Sequence, residues 1–159
     1  MKKIILLILL PLLIFGQDFQ SNLPIIIINT NGNTILDNPR IISDMNIISN
    51  DSGINKLTDP YNDYNGKISI ELRGSSSQDV FPKKSYSLET QTVTGENNNV
   101  SLLGLAKEND WILYGAYSDK TLLRNNLTYE LARQMGHYAT KSKYCELFIN
   151  SNYEGVYML

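Results

Sequence analysis

The sequence contains little of the chemistry that most metal and redox sites require. Its 159 residues include one cysteine, Cys145, and one histidine, His137. A lone cysteine forms no internal disulfide, and it excludes zinc or iron–sulfur sites built from several cysteines. A lone histidine likewise excludes a cage of several histidines. No G-x-S-x-G string is present, so a hydrolase with that nucleophile motif is not indicated.

A surplus of positive charge is also absent. The formal net charge is −2, from 14 basic and 16 acidic residues. Without the first sixteen residues, which hold two lysines and no acid, 12 basic residues face 16 acidic ones and the charge falls to −4. Nucleic-acid-binding domains usually carry a basic surplus, so no nucleic-acid partner is expected. The Walker A, G-x-G-x-x-G, H-R-D and D-F-G strings are missing as well.

The longest apolar run is too short to span a membrane. Residues 4–15 are apolar, whereas a helix that crosses a hydrocarbon core of about 30 Å needs about twenty such residues. Two lysines precede the run, and Gly16 follows it as a small residue. This layout predicts a secretory signal peptide at residues 1–16 and an exported protein without a stable membrane span after cleavage. A retained N-terminal anchor is the alternative.

Hydrophobic periodicity predicts an α+β fold of mostly antiparallel strands with one main amphipathic helix. Ile68, Ile70 and Leu72 alternate with polar residues over positions 67–73, which is typical of a half-buried strand. Residues 50–65 are rich in Asn, Asp and Gly and predict a long surface loop. Further strands are predicted at residues 23–29, 40–48, 84–89, 111–115, 144–149 and 153–159, the last two forming a hairpin.

The helix is predicted over residues 121–135. Leu123, Leu127 and Leu131 recur every four residues, and Met135 extends the same stripe. Ser118 or Asp119 is expected to cap its start, and Gly136 is expected to supply a left-handed stop.

The best candidate for a binding site is the string Arg73-Gly74-Ser75-Ser76-Ser77, followed by Lys83 and Lys84. A strand delivers Arg73, the glycine permits a sharp turn, and two lysines return at the next strand. Arginine offers a planar fork and lysine a point charge to phosphate oxygens, so the pattern indicates an anion cradle. The alternative is a hairpin loop with solvated charges.

A second cluster lies around the start of the helix. Trp111 would cover a flat ligand or, more simply, fill the core. Asp119 is more often a helix cap than a catalytic group. Arg124 would reach an anion near the helix N-terminus, or form a salt bridge with Asp119 or Glu71. His137 is expected at the surface, and Cys145 as a small buried apolar residue.

Residues 66–159 resemble the N-terminal part of a CotH kinase family domain, named for spore coat protein H. The resemblance lies in the order and spacing of several short strings, none of which is specific alone. These are I-E-L-R-G-S-S-S-Q at 70–78, F-P-K-K-S-Y at 81–86, L-L-G-L at 102–105, D-W-I-L at 110–113, Y-S-D-K-T-L-L-R-N at 117–125, E-L-F-I-N at 146–150 and Y-E-G-V-Y at 153–157.

The resemblance implies an atypical protein-kinase-like fold that uses ATP and Mg²⁺ or Mn²⁺. It implies phosphoryl transfer to Ser or Thr of a secreted or cell-surface protein. Arg73 and Lys84 match the basic positions expected to hold the nucleotide phosphates, with Lys83 and Arg124 as second choices. The expected supporting residues are Ser75, Ser76, Trp111 and Asp119.

The family's catalytic and metal-binding acids are expected beyond Leu159, so no metal ligand is assigned in this chain. Residues 66–159 are therefore expected to be an incomplete domain, preceded by N-terminal strands and a loop at 17–65. A non-catalytic surface or coat module that binds partners is the main alternative function. A weaker alternative is a carbohydrate-associated protein, suggested by Tyr61 and Tyr64 in the long loop.

Overall fold

The computed structural model describes residues 19–159, so the predicted signal peptide lies outside the described residues. The strands are β1 (Gln20–Ser21), β2 (Ile25–Asn29), β3 (Ile41–Ile48), β4 (Asn55–Lys56), β5 (Tyr64–Arg73), β6 (Ser85–Gln91), β7 (Asp110–Leu113), β8 (Tyr144–Ile149) and β9 (Asn152–Met158), and the helices are α1 (Ser76–Val80) and α2 (Arg124–Gln134). Every strand predicted from the sequence is present, with its bounds shifted by three residues at most.

Seven of the strands form one sheet, in the order β7-β6-β5-β3-β2-β8-β9. Its neighbouring strands pair antiparallel, except that β2 and β8 run parallel. The two edge strands approach each other where Tyr114 N donates to Met158 O at 2.8 Å and Met158 N donates to Tyr114 O at 3.2 Å. The sheet therefore curls until its edges meet. The pairing directions and the single long helix, α2, confirm the prediction of mostly antiparallel strands with one main helix.

The core lies inside this curl because each strand turns alternate residues inward. Ile68, Ile70 and Leu88 are completely buried, and burying one such side chain contributes about 1.5–3 kcal/mol. A smaller apolar cluster covers the opposite face of β2 and β8, where the rings of Phe19 and Phe148 lie 4.9 Å apart. The inward-facing cluster draws on all seven strands of this sheet.

The long loop is shorter than predicted because β5 begins at Tyr64. Tyr64 pairs with Ile47, so β3 has a partner over most of its length. The Tyr64 hydroxyl donates to Lys67 O at 2.9 Å, and its ring packs against the core. Tyr64 is therefore a strand residue, whereas Tyr61 is exposed in the loop. The loop also contains β4, which pairs with β1.

The hairpin between β8 and β9 is confirmed. Asn150 and Ser151 form its two-residue turn, and both have positive φ, at 50° and 69°. Two consecutive left-handed residues match the right-handed twist of the flanking strands.

The predicted helix is wrong at its N-terminal end. Leu122 adopts a φ of 59°, which breaks the helical path, so α2 begins at Arg124. Its apolar stripe faces outward, with Leu127 57% and Met135 73% exposed. No described element packs on that stripe. No helix in the described part of the chain has the length and apolar character needed to cross a membrane.

The end of α2 follows the prediction. Gly136 has a φ of 82°, Gly136 N donates to Arg133 O, and His137 N donates to Ala132 O. This pair of bonds is the Schellman motif, in which a left-handed glycine allows the last carbonyls to be satisfied.

Candidate functional site

A tight turn after β5 brings the Gly/Ser string into register with the start of β6. Arg73 is the last residue of β5 and pairs with Ser85. Gly74 has a φ of 121°, and a Cβ atom there would overlap the Ser77 hydroxyl. The positive φ therefore favours glycine here, and a side chain at this position would also force the Ser77 hydroxyl to rotate away. Ser76 begins α1, a five-residue helix that the sequence did not predict.

The Lys84 ammonium holds this turn closed. Its Nζ donates to Gln78 O and, at 2.7 Å, to Phe81 O. The Gln78 side chain in turn donates to Gly74 O at 2.7 Å and to Asp37 Oδ1 at 2.6 Å. Lys84 thus caps the carbonyls at the end of α1, directly beside the position of Arg73.

Lys83 reaches in a different direction, towards β9. Its Nζ donates to Val156 O at 2.5 Å and lies 4.4 Å from the centre of the Tyr157 ring. Desolvation lowers the pKa of this half-buried ammonium below its usual value of 10.5. The ammonium is therefore placed by main-chain and aromatic groups rather than by a carboxylate.

Three of the predicted cations line one small cavity of about 120 Å³, namely Arg73, Lys83 and Lys84. Arg73 is exposed and forms no hydrogen bond or ion pair with the described residues, so its guanidinium is available to a ligand. Ser75 and Ser76 are exposed but do not line this cavity. The prediction that Arg73 and the two lysines share one site is therefore supported by their positions, while their contacts with a ligand stay predictions.

A larger cavity of about 820 Å³ adjoins the small one and shares Arg73 with it. This volume falls within the range of about 300–1,000 Å³ that is typical of small-molecule sites. Trp111 from β7 and Tyr129 from α2 supply aromatic surface, and Arg133 and His137 supply polar groups. Sequence reasoning missed Tyr129 and Arg133, although both lie on the side of α2 opposite the leucine stripe.

Trp111 combines the two roles considered for it. The residue is 8% exposed and belongs to the core cluster, yet it also lines the large cavity. Its indole N–H is buried and has no hydrogen-bond partner among the described residues. Cys145 is buried as predicted, and burial raises the pKa of its thiol.

Asp119 supports the turn before α2, but the N-cap residue is Leu123, so the prediction that Ser118 or Asp119 caps the helix is wrong. Its carboxylate accepts from the Thr121 hydroxyl at 2.7 Å and from Arg124 N at 2.9 Å. The Thr121 hydroxyl and then the Arg124 N–H lower the pKa of this carboxyl. Because the hydrogen bonds favour the charged form, Asp119 stabilises the turn as a carboxylate.

Arg124 does not join the other cations. Its side chain is 79% exposed, its Nε lies 3.6 Å from Asp119 Oδ1, and it lines neither cavity. The alternative partner considered for it, Glu71, is paired with Arg40 at 3.0 Å instead. The structure therefore favours the Asp119 salt bridge and gives Arg124 no position beside Arg73.

Acidic groups that would hold a metal ion are not clustered in the part of the chain described here. Within residues 19–159, no group of three or more His, Cys, Asp or Glu side chains is arranged to bind one. The site is thus a cationic pocket beside a larger, partly aromatic cavity, which suits an anionic ligand with a flat, uncharged part.

Comparison with known proteins identifies the family of the chain. Residues 70–159 match the family model described as CotH kinase protein. No curated protein matches the chain. The matched segment runs from β5 to the end of the sequence, so it contains the Gly/Ser turn, both lysines, α2 and the final hairpin. Because the match covers more than half of the chain, the protein belongs to the CotH kinase family.

Proposed function

We propose that this chain is the nucleotide-binding part of an exported atypical protein kinase, which transfers the γ-phosphate of ATP to Ser or Thr of secreted or cell-surface proteins. The observation that carries the proposal is the meeting of Arg73, Lys83 and Lys84 at one cavity. Membership of the CotH kinase family supports the same activity and a protein-kinase-like fold.

The cations provide binding and orientation. Phosphoryl transfer depends mainly on positioning and on neutralising the charge of the phosphate oxygens. Arg73 presents an unpaired guanidinium that can take two phosphate oxygens at once. Lys84 lies next to it and would exchange its carbonyl partners, Gln78 O and Phe81 O, for phosphate oxygens. When bound, ATP supplies the phosphoryl group that is transferred.

The larger cavity accommodates the rest of the nucleotide in this proposal. Arg73 lines both cavities, so a ligand with phosphates in the small one extends naturally into the large one. Trp111 and Tyr129 offer aromatic surfaces for a base, and stacking of aromatic groups contributes about 0.5–1.5 kcal/mol beyond area burial.

The metal ion has no binding site among the described residues. Mg²⁺ or Mn²⁺ is implied by the family, yet the described residues provide no cluster of acidic side chains for it. The roles assigned to this chain are therefore limited to binding and orienting the nucleotide.

Incubation of the protein with radiolabelled ATP, Mg²⁺ or Mn²⁺ and candidate surface proteins tests the proposal, together with direct titration of nucleotide. We expect saturable ATP binding. Label transfer is expected only where acidic side chains that bind the metal ion are also present. Absence of nucleotide binding at millimolar ATP would contradict the proposal.

A non-catalytic partner-binding module is the second candidate function. The outward apolar stripe of α2 favours it, since Leu123, Leu127, Leu131 and Met135 are all at least half exposed. Contiguous exposed apolar surface often marks an interaction site. Capture of a surface protein with equal affinity in the presence and absence of ATP would support this function over the first.

A further inference from the structure

The start of β6 is tied to β9 although the two strands are not neighbours in the sheet. Lys83 Nζ donates to Val156 O at 2.5 Å and lies over the Tyr157 ring. The Tyr157 hydroxyl donates back to Lys84 O at 2.9 Å. Three contacts therefore link residues 83–84 with residues 156–157, and together we name them the Lys83 clamp.

The clamp lies where the two edges of the sheet meet. A pair of backbone hydrogen bonds between Tyr114 and Met158 also links the edges there, and the Tyr86 and Tyr157 rings lie 6.1 Å apart. Tyr114 also lines the small cavity together with Lys83 and Lys84. The clamp thus closes the curl of the sheet on the side that carries the cationic cavity.

Two glycines make room for the clamp. At Gly155, φ is 96° and a Cβ would lie 3.3 Å from Lys83 Nζ. At Gly115, a Cβ would lie 2.6 Å from Lys84 O and 3.3 Å from Lys83 Cγ. Side chains at these two positions would push the lysine segment away from β9 and from the end of β7. The close approach is therefore built into the backbone on both sides.

Lys83 and Lys84 differ in what their ammonium groups hold. Lys84 caps carbonyls three and six residues away in its own turn, so giving them up for a ligand costs only local order. Lys83 holds a carbonyl 73 residues away, and moving it would open the contact between β6 and β9. Its half-buried ammonium is also desolvated, which a direct role at an open phosphate site does not require.

We propose that Lys83 is a positioning residue, which fixes Lys84 and Arg73 beside β9 through the Lys83 clamp and does not itself contact the nucleotide phosphates. The inference rests on the proposed function, because it concerns the same cavity. It assigns the phosphate contacts to Arg73 and Lys84 alone.

The test compares Lys83→Met, Lys83→Arg and Lys84→Met by calorimetric titration with ATP at several salt concentrations. Loss of one net hydrogen bond of the clamp predicts about two- to tenfold weaker binding for Lys83→Met. The salt dependence should fall by less than in Lys84→Met, because a nearby charge is removed but no phosphate contact is lost. Lys83→Arg should restore most of the affinity, since arginine also donates to Val156 O and covers Tyr157. Lys84→Met should flatten the salt dependence.

Two results would overturn the assignment. If Lys83→Met flattens the salt dependence as much as Lys84→Met does, Lys83 is a phosphate ligand. If Lys83→Met leaves the affinity unchanged, the clamp positions nothing. Tyr157→Phe, which removes the hydroxyl that donates to Lys84 O and keeps the ring beneath Lys83, provides a second and milder variant with the same expected direction.

Hydrogen exchange separates failure of this inference from failure of the proposed function. Without nucleotide, Lys83→Met should speed amide exchange at Tyr114 and Met158, and Lys84→Met should not. A wild-type protein that binds no ATP overturns the proposed function and the positioning role with it, while the exchange data still report whether the clamp closes the sheet. Unchanged exchange in Lys83→Met contradicts the clamp directly.

Discussion

Replacement of Arg73 by glutamine isolates ligand binding from folding. The guanidinium is exposed and has no hydrogen bond or ion pair among the described residues. Surface substitutions of that kind usually change the free energy of unfolding by no more than about 0.5 kcal/mol. The variant should therefore keep the melting temperature and circular dichroism spectrum of the wild type.

Nucleotide binding should respond much more strongly. A hydrogen bond to a charged group contributes about 1.5–3 kcal/mol, which corresponds to about ten- to hundredfold in the dissociation constant. Arg73→Gln should lose that amount for ATP and much less for adenosine, which has no phosphate. Isothermal titration with both ligands measures the difference.

A matched control is available at Lys56, an exposed cation that lines neither cavity. Lys56→Gln removes the same unit of charge and should leave ATP affinity unchanged within twofold (about 0.4 kcal/mol). Equal losses in both variants would mean that long-range charge, rather than a contact at Arg73, governs binding. Full ATP affinity in a folded Arg73→Gln protein would refute the phosphate assignment.

Three further predictions concern Lys84, Gly74 and Asp119. Lys84→Met should weaken ATP binding about ten- to hundredfold, because a hydrogen bond to a charged group is lost. Residues 74–82 should also become more sensitive to protease, because Gln78 O and Phe81 O lose their donor. Unchanged ATP affinity in a folded variant would contradict the assignment of Lys84 to the site. Gly74→Ala should lower the free energy of unfolding by more than about 1 kcal/mol in chemical denaturation. The loss should exceed that of Gly95→Ala, because both glycines have positive φ but only a Cβ at Gly74 would meet the Ser77 hydroxyl. Equal losses would mean that the contact with Ser77 contributes nothing. Asp119 has a lowered pKa, so its stabilisation is present above the ordinary pKa of about 3.9 and is lost as pH falls through the folded value. Asp119→Asn should therefore lower the melting temperature at pH 7, and the difference in melting temperature from the wild type should become smaller at pH 2–3. A difference that stays constant with pH would contradict the direction of the pKa shift.

Much of the sheet was predictable because its information is local. Strict alternation at Ile68, Ile70 and Leu72 specifies a strand with one buried face, and it is found as β5. The hairpin turn at Asn150 and Ser151 follows from residues that tolerate positive φ. The curl of the sheet was not predictable, since the bridge between Tyr114 and Met158 joins positions that no short pattern connects.

The helix shows where periodicity alone fails. The four-residue spacing of leucines predicted an apolar stripe, which α2 has, but burial of such a stripe depends on whether another element covers it. Within the described residues, α2 donates from Arg133 Nη1 to Thr140 O and accepts at Asn126 Oδ1 from Ser142 Oγ, while its leucines face outward. Its start was misplaced because Asp119 captures Thr121 in a separate turn.

The candidate site was predictable in composition and only partly in geometry. Adjacent strands placed Arg73 and Lys84 together, as β5 and β6 are paired antiparallel up to Ser85. The separate direction of Lys83 depends on β9, far along the chain, and on the space left by Gly155. Arg124 was assigned from its place near the helix N-terminus and from the family resemblance, but its side chain is exposed beside Asp119 and lines neither cavity.

A structure of the protein with a non-hydrolysable ATP analogue and Mg²⁺ tests the central claim most directly. We expect phosphate oxygens within hydrogen-bond distance of the Arg73 guanidinium and of Lys84 Nζ, with Lys83 still bonded to Val156 O. A bound nucleotide whose phosphates lie far from Arg73 and Lys84, with both side chains in solvent, would contradict it.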